Sequence, residues 1–219
     1  PVHRVELIEA GHPIPDNAGV QGAERIVRLL ESLDEEDLVF CVLSGGGSAL
    51  MPLPVAGITL EEKQAVTGLM LDCGATINQM NTVRKHISQM KGGHLARLAS
   101  PATVISLILS DVIGDPLDVI ASGPTVPDPS TFADCLAIIT RYQLENALPP
   151  SVNRYLQDGE KGRNRETPKP GDSVFDRVQN VLIATSRQAL EAARTEAEHR
   201  GYHPLILSSS IDGETREIA

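Results

Sequence analysis

Five charged residues stand close to glycines in a way that could serve chemistry. Arg84, Lys85 and Lys91 precede Gly92-Gly93, while Asp111 and Asp115 bracket Gly114. Cations at a helix end, beside backbone that a ligand can approach closely, suit neutralisation of an anion. Taken alone, they suit a solvated basic face at a helix C-terminus better. The two carboxylates fall just past an apolar run and present hard oxygens of the kind that hold Mg²⁺ together with phosphate groups, or one can accept a hydroxyl proton. Asp also caps turns readily, which is the plainer reading of both.

Two small-residue turns supply the complementary groups. Ser44-Gly45-Gly46-Gly47-Ser48 follows an apolar run, and its glycines expose backbone N–H groups to which a phosphate or carboxylate can bind. It lacks the Gly-Lys-Ser/Thr of a P-loop, the spacing of a dinucleotide fingerprint and the G-x-S-x-G of a nucleophile elbow. Ser122-Gly123-Pro124-Thr125 is a second turn able to hold an anion. Between them, Ile77, Met80, Val83, Ile87 and Met90 recur at helical spacing as a buried stripe. Asn81, Lys85 and Ser88 then share the polar side, with Arg84 at its edge. His86 and His94 are candidate acid–base groups, although a lone His is more often structural.

These residues need elements to position them. The apolar runs Leu38–Leu43, Val104–Leu109, Val181–Ala184 and Pro204–Leu207 lack polar alternation, which predicts strands buried on both faces of a parallel sheet. Val5–Ile8 is a weaker fifth. Helical patterns lie between them at 18–32, 60–72, 75–88, 129–142, 149–157 and 187–200. The alternation predicts one α/β unit, a doubly wound, mostly parallel sheet with helices on both faces. Ser44, Ser110, Ser186 and Ser208 follow successive strands and would gather along the carboxyl rim, where open α/β sheets bind ligands. The polar run Gln157–Ser173 reads as a long surface loop without order of its own.

Composition narrows the partners. With a net charge of -10 over 219 residues, the surface repels nucleic acid and anionic membranes, so an anion needs a local cluster of positive groups. Aromatic residues make up only 3%, so the core must rest on Leu, Ile, Val and Ala. Cys41, Cys73 and Cys135 are odd in number and widely spaced, as expected of reduced thiols in a cytoplasmic protein. No apolar stretch reaches the roughly 20 residues of a membrane span, and no signal-peptide layout precedes the first strand. Starting at Pro1 and stopping at Ala219 within a helical start, the chain reads as a fragment.

Together the segments EAGHPIPD (9–16), LSGGGSAL (43–50), MNTVRKHIS with KGGHLA (80–96), SDVIGD (110–115), ASGPTVPD (121–128), ETPKPGD (166–172) and GETREIA (213–219) resemble the glycerate 2-kinase family. Members of that family have also been called hydroxypyruvate reductases, and their C-terminal part is the MOFRL domain. The resemblance implies a Rossmann-like fold and ATP- and Mg²⁺-dependent phosphorylation of D-glycerate at its 2-hydroxyl to give 2-phosphoglycerate, in a cleft between a larger and a C-terminal domain. On this reading residues 1–219 are most of the larger domain, with a lysine-bearing upstream segment and the C-terminal domain absent. Its partners are glycerate and a nucleotide, and a homodimer is compatible with it. In LIATSRQAL, Ser186 stands where the family pattern has Asn.

Anion turns, basic helix end and paired Asp suit phosphoryl transfer, which depends on positioning and charge neutralisation. Ser44, Gly45, Gly46, Gly47 and Ser48 are then assigned to phosphate or substrate carboxylate, with Asn81, Ser122, Gly123 and Thr125 beside them. Arg84, Lys85 and Lys91 neutralise the anion, and Asp111 and Asp115 face Mg²⁺ or the substrate hydroxyl. Two other readings remain: an NAD(P)H-dependent hydroxypyruvate reductase, against which the missing dinucleotide fingerprint counts, and a non-catalytic anion-binding fragment.

Overall fold

A computed structural model describes residues 5–211. Strands β1 (Leu38–Leu43), β2 (Thr103–Ser110) and β3 (Val178–Thr185) form a parallel sheet in the order β1-β2-β3. Leu38 pairs with Thr103 and Val104 with Val178, and one irregularity falls at Ile108/Leu109. The α/β expectation with an open parallel sheet therefore holds. Burial on both faces does not hold for β1 or for β3, where Leu182 and Ile183 are exposed. Val39 and Cys41 pack beneath helices α1 (Asn17–Leu30) and α5 (His94–Ala99), whereas Leu38, Phe40 and Val42 are exposed.

The runs Val5–Ile8 and Pro204–Leu207 are not strands. No described segment lies alongside them as a ladder partner, and Leu7, Leu205 and Leu207 are exposed; an apolar run needs a neighbouring strand to become one. The motif at 213–219 lies outside the described residues.

A second core forms away from the sheet, between α3 (Leu60–Asp72), α4 (Ile77–His86), α6 (Phe132–Arg141) and α7 (Pro150–Glu160). Val66, Met70, Val83, Ile87, Ile139 and Leu156 are almost completely buried there. Burial of each is worth about 1.5–3 kcal/mol, which holds α4 rigidly. Capping boxes set the starts of three of these helices: Thr59 with Glu62, Thr76 with Gln79, and Thr131 with Asp134. The buried stripe of α4 is as expected except at its first position, Ile77, which is exposed. Asn81 and Lys85, expected on a solvated side, are buried as well, because the chain around residues 118–128 covers that side of the helix.

The segment after α7 differs from the expected loose loop. Thr167 and Pro168 are buried, and the amide of Asp128 donates to the Pro168 carbonyl at 2.9 Å. Its polarity serves internal hydrogen bonds rather than solvation. Among the described residues no helix is long and apolar enough to cross a membrane.

Candidate active site

β1 delivers the chain into the glycine turn at the carboxyl edge of the sheet. Gly46 adopts a left-handed conformation (φ 83°) and caps the single-turn helix α2 (Gly47–Leu50). Ala49 and Leu50 donate back to the Gly46 carbonyl, whereas the amides of Gly45, Gly46, Gly47 and Ser48 find no acceptor among the described residues. The turn is closely walled. A Cβ on Gly45 would run into the Asp111 carboxylate, and one on Gly47 would lie 3.0 Å from the Ala121 methyl. One on Gly46 would lie 3.2 Å from the His12 ring. Glycine is thus required here for close approach as well as for conformation. A cavity of about 350 Å³ opens beside Ser44, Gly45 and Gly47.

Ser48 ties this turn to the second one. Ser122 Oγ donates to Asn81 Oδ1 at 3.1 Å and lies 2.8 Å from Ser48 Oγ, while Arg84 Nη2 donates to Ser48 Oγ at 2.6 Å. Because Ser122 has a single proton and gives it to Asn81, Ser48 is the donor to Ser122. Arg84, Ser48, Ser122 and Asn81 therefore form one directed chain. Ala121, Ser122 and Gly123 all have positive φ (50°, 62° and 60°), a left-handed turn that costs the two non-glycine residues about 1–3 kcal/mol each. Gly92 and Gly93 amides hold it by donating to the Ser122 and Gly123 carbonyls at 2.9 and 2.8 Å. Thr125 is turned inward, accepting from Ser106 Oγ at 2.9 Å and donating to Asn180 Oδ1 at 2.7 Å.

Cations gather behind Ser48. Lys91 Nζ, almost completely buried, donates to the Ser48 and Met51 carbonyls at 2.7 and 3.1 Å. Burial first, and then the neighbouring Arg84 charge, pull its pKa down to about 7. Burial likewise lowers Arg84 from its ordinary value. Neither residue has a carboxylate within ion-pairing distance among the described residues, so the pair forms an uncompensated positive patch at the turn.

Lys85 is placed differently from its neighbours. Its Nζ lies 3.3 Å from Asp118 and 3.4 Å from Asp128, so its charge is matched inside the protein rather than left for a ligand. Asp128, fully buried, also accepts from Ser130 Oγ at 2.8 Å and Thr167 Oγ1 at 3.1 Å. His86 Nδ1 donates to the Thr82 carbonyl, and Nε2 lies 3.3 Å from Glu166. Desolvation raises the Glu166 pKa, but hydrogen bonds from His86, Lys169 and the Phe132 amide outweigh it and bring it down to about 2. His94 is held neutral: burial, then Arg97 and His86, push its pKa down to about 3.

Asp111 is exposed at the end of β2, and no donor among the described residues satisfies its carboxylate. Asp115 is half-buried in a left-handed conformation (φ 53°), its amide donating to the Val112 carbonyl. No cluster of three metal-ligating side chains occurs among the described residues. A free carboxylate beside free amides still fits Mg²⁺, which commonly takes one or two carboxylates and completes its shell with water and phosphate oxygens. Of the rim serines, Ser44 and Ser186 follow β1 and β3 and Ser110 ends β2, whereas Ser208 follows no strand. His12, Asp118, Asp128, Glu166 and Lys169 were assigned no role from the sequence; all but Asp118 lie in segments that carry the family resemblance, which was the one signal that pointed to them.

Residues 1–157 match the family described as Domain of unknown function (DUF4147). Along its whole length the chain is 47% identical to a protein of Agrobacterium vitis that carries the name hydroxypyruvate reductase, covering 48% of that protein. It is 44% identical, over 98% of its length, to the glycerate 2-kinase of Pyrococcus horikoshii, again covering 48% of the relative. The crystal structure of a glycerate kinase from Thermotoga maritima superposes with a TM-score of 0.85 at 42% identity, over 99% of this chain and 49% of that one. The chain spans about half the length of the relatives it matches.

Proposed function

Given that this chain belongs to the DUF4147 family, the family of the glycerate kinases, we propose that it forms most of the larger, Rossmann-like domain of an ATP-dependent kinase that phosphorylates D-glycerate at its 2-hydroxyl. The observation that carries this reading is the juxtaposition of four free amides at Gly45–Ser48 with the unsatisfied Asp111 carboxylate and the Arg84–Lys91 cation pair.

The geometry supports the following roles. Amides of Gly45–Ser48 bind phosphate oxygens, and they are oriented before the ligand arrives, so little reorganisation is needed when charge develops. Arg84 and Lys91 offset the negative charge of the bound groups. Asp111, against Gly45, accepts the proton of the attacking hydroxyl or holds Mg²⁺ with the help of Asp115. When bound, Mg²⁺ supplies charge neutralisation between phosphate oxygens. Lys85 acts through Asp118 and Asp128, fixing the turn at 121–125 that carries Ser122 and Thr125. Such a site needs no covalent nucleophile.

The test is chemical. The full-length gene product is given D-glycerate, ATP and Mg²⁺, and the product is identified by phosphorus NMR as 2-phosphoglycerate. A parallel reaction contains hydroxypyruvate and NADH. Oxidation of NADH without formation of ADP from the first mixture would reject the kinase reading in favour of a reductase.

A further inference from the structure

Behind the glycine turn lies a second cavity of about 400 Å³, enclosed by the Pro13–Pro15 loop, Ser48, Arg84 and the α3 residues Lys63, Thr67 and Gly68. Gln64 Nε2 closes its side by donating to the Pro15 carbonyl at 2.6 Å. Lys63 is only 4% exposed, and its ammonium group, with three donors, reaches a single acceptor, the Ile87 carbonyl at 3.4 Å. No carboxylate lies within ion-pairing distance of it among the described residues. Lys91, buried, and Arg84, partly buried, are close enough to act on it electrostatically, and neither has a carboxylate within ion-pairing distance among the described residues.

Buried Lys63 and partly buried Arg84 at the cavity, with buried Lys91 close by, are costly for a folded chain to keep charged. Each loses hydration, each repels the others, and no internal anion offsets the loss. The arrangement makes sense if a ligand supplies the missing charge. The pocket is polar where the cations enter and apolar along the proline loop, which suits a small molecule with a charged head and a short carbon body.

We infer that this cavity is a binding site for a small oxyanion, carboxylate or phosphate, and that Lys63 is its principal ligand residue together with Arg84, with Lys91 adding to the positive field from outside the lining. The site adjoins the glycine turn through Ser48, whose hydroxyl accepts from Arg84 and whose carbonyl accepts from Lys91. Identifying the oxyanion as the substrate's own carboxylate rests on the kinase reading; the existence of the site does not.

Binding is measured on the full-length gene product by calorimetry at fixed ionic strength, with D-glycerate and inorganic phosphate titrated separately, so that the source of the oxyanion is read directly. Lys63→Met keeps the stem and removes the charge. Gly68→Leu keeps all three cations and fills the cavity: a Cβ there meets nothing within 4 Å, and Leu suits a helix. Both variants are expected to bind at least about tenfold more weakly than the unmodified protein, the loss typical of one charged hydrogen bond, while Lys63→Arg retains binding. If the unmodified protein binds neither anion, or if both variants bind as it does, the inference falls. Should Lys63→Met fail to fold, Gly68→Leu alone decides. A protein that binds phosphate in a Lys63-dependent way but forms no 2-phosphoglycerate would uphold the site and reject the kinase.

Discussion

The hydroxyls of Ser48 and Ser122 lie 2.8 Å apart across 74 residues of sequence, and this bond joins the glycine turn after β1 to the left-handed turn at Ala121–Gly123. Replacing Ser122 with Ala leaves the buried Asn81 oxygen without its donor and the partly buried Ser48 hydroxyl without its acceptor. Urea denaturation is expected to show a loss of about 1–3 kcal/mol. Ser122→Thr, which keeps the hydroxyl, should recover part of it.

Asp128 carries a different burden. With no exposure of its own it faces Lys85, Ser130 and Thr167, so Asp128→Ala strands a buried ammonium group whose other carboxylate, Asp118, is half in solvent. The expected cost is about 3–5 kcal/mol by chemical denaturation. Combining it with Lys85→Met should cost less than the two changes added together, because the second change removes the charge that the first left unpaired.

At Gly45 the effect should fall on turnover rather than on folding. Gly45→Ala drives a methyl group into the Asp111 carboxylate and displaces it from the free amides. On the kinase reading, kcat falls by about 10²-fold or more, as expected for loss of a positioned group, and Asp111→Asn falls at least as far. Steady-state kinetics of full-length variants would check both; a pair of near-normal kcat values would place the reaction elsewhere.

Glu166 predicts the acid behaviour. Its carboxyl titrates near 2 in the folded protein against 4.5 ordinarily, so the unfolded chain takes up the proton first as pH falls. The stability it contributes is complete above about 4.5 and drains away as pH drops towards 2. Denaturation midpoints measured across that window should decline in the unmodified protein and decline less in Glu166→Gln. Lys91 has the opposite sense. Held near 7 when folded, against 10.5, it makes stability rise with pH between those values, by at most about 1.4 kcal/mol per pH unit. Lys91→Met should flatten that slope.

Much of this architecture was legible from sequence because the relevant signals are local. β1 begins and ends where its apolar run does, and β2 and β3 extend their runs by only a few residues. The glycine turn was visible as three glycines after a strand. Lys63 was not, since Leu-Glu-Glu-Lys-Gln reads as an ordinary helix start, and only the packing of α3 against α4 buries it. The pairing of Lys85 was hidden for the same reason: its partners, Asp118 and Asp128, arrive from far along the chain. Resemblance carried what periodicity could not, by marking EAGHPIPD and ETPKPGD as meaningful; the structure places them at the proline wall of the cation pocket and in the Glu166 clasp.

The all-parallel sheet also dictates how this chain must fold. Among the described residues no hairpin is available as a local nucleus, because the first strand pair already joins Leu38 to Thr103 and the second joins Val104 to Val178. Each pairing closes a long loop before any contact across it forms, which places refolding on the slow, millisecond-to-second side of small-domain kinetics. Among the helices α3, α4, α6 and α7, shorter-range packing exists only within the pairs α3–α4 and α6–α7, which are adjacent in sequence and of which α3, α4 and α6 start with capping boxes. The glycine turn acquires its Asp111 wall only once β1 and β2 have paired, so the site cannot exist before a long-range strand contact has formed.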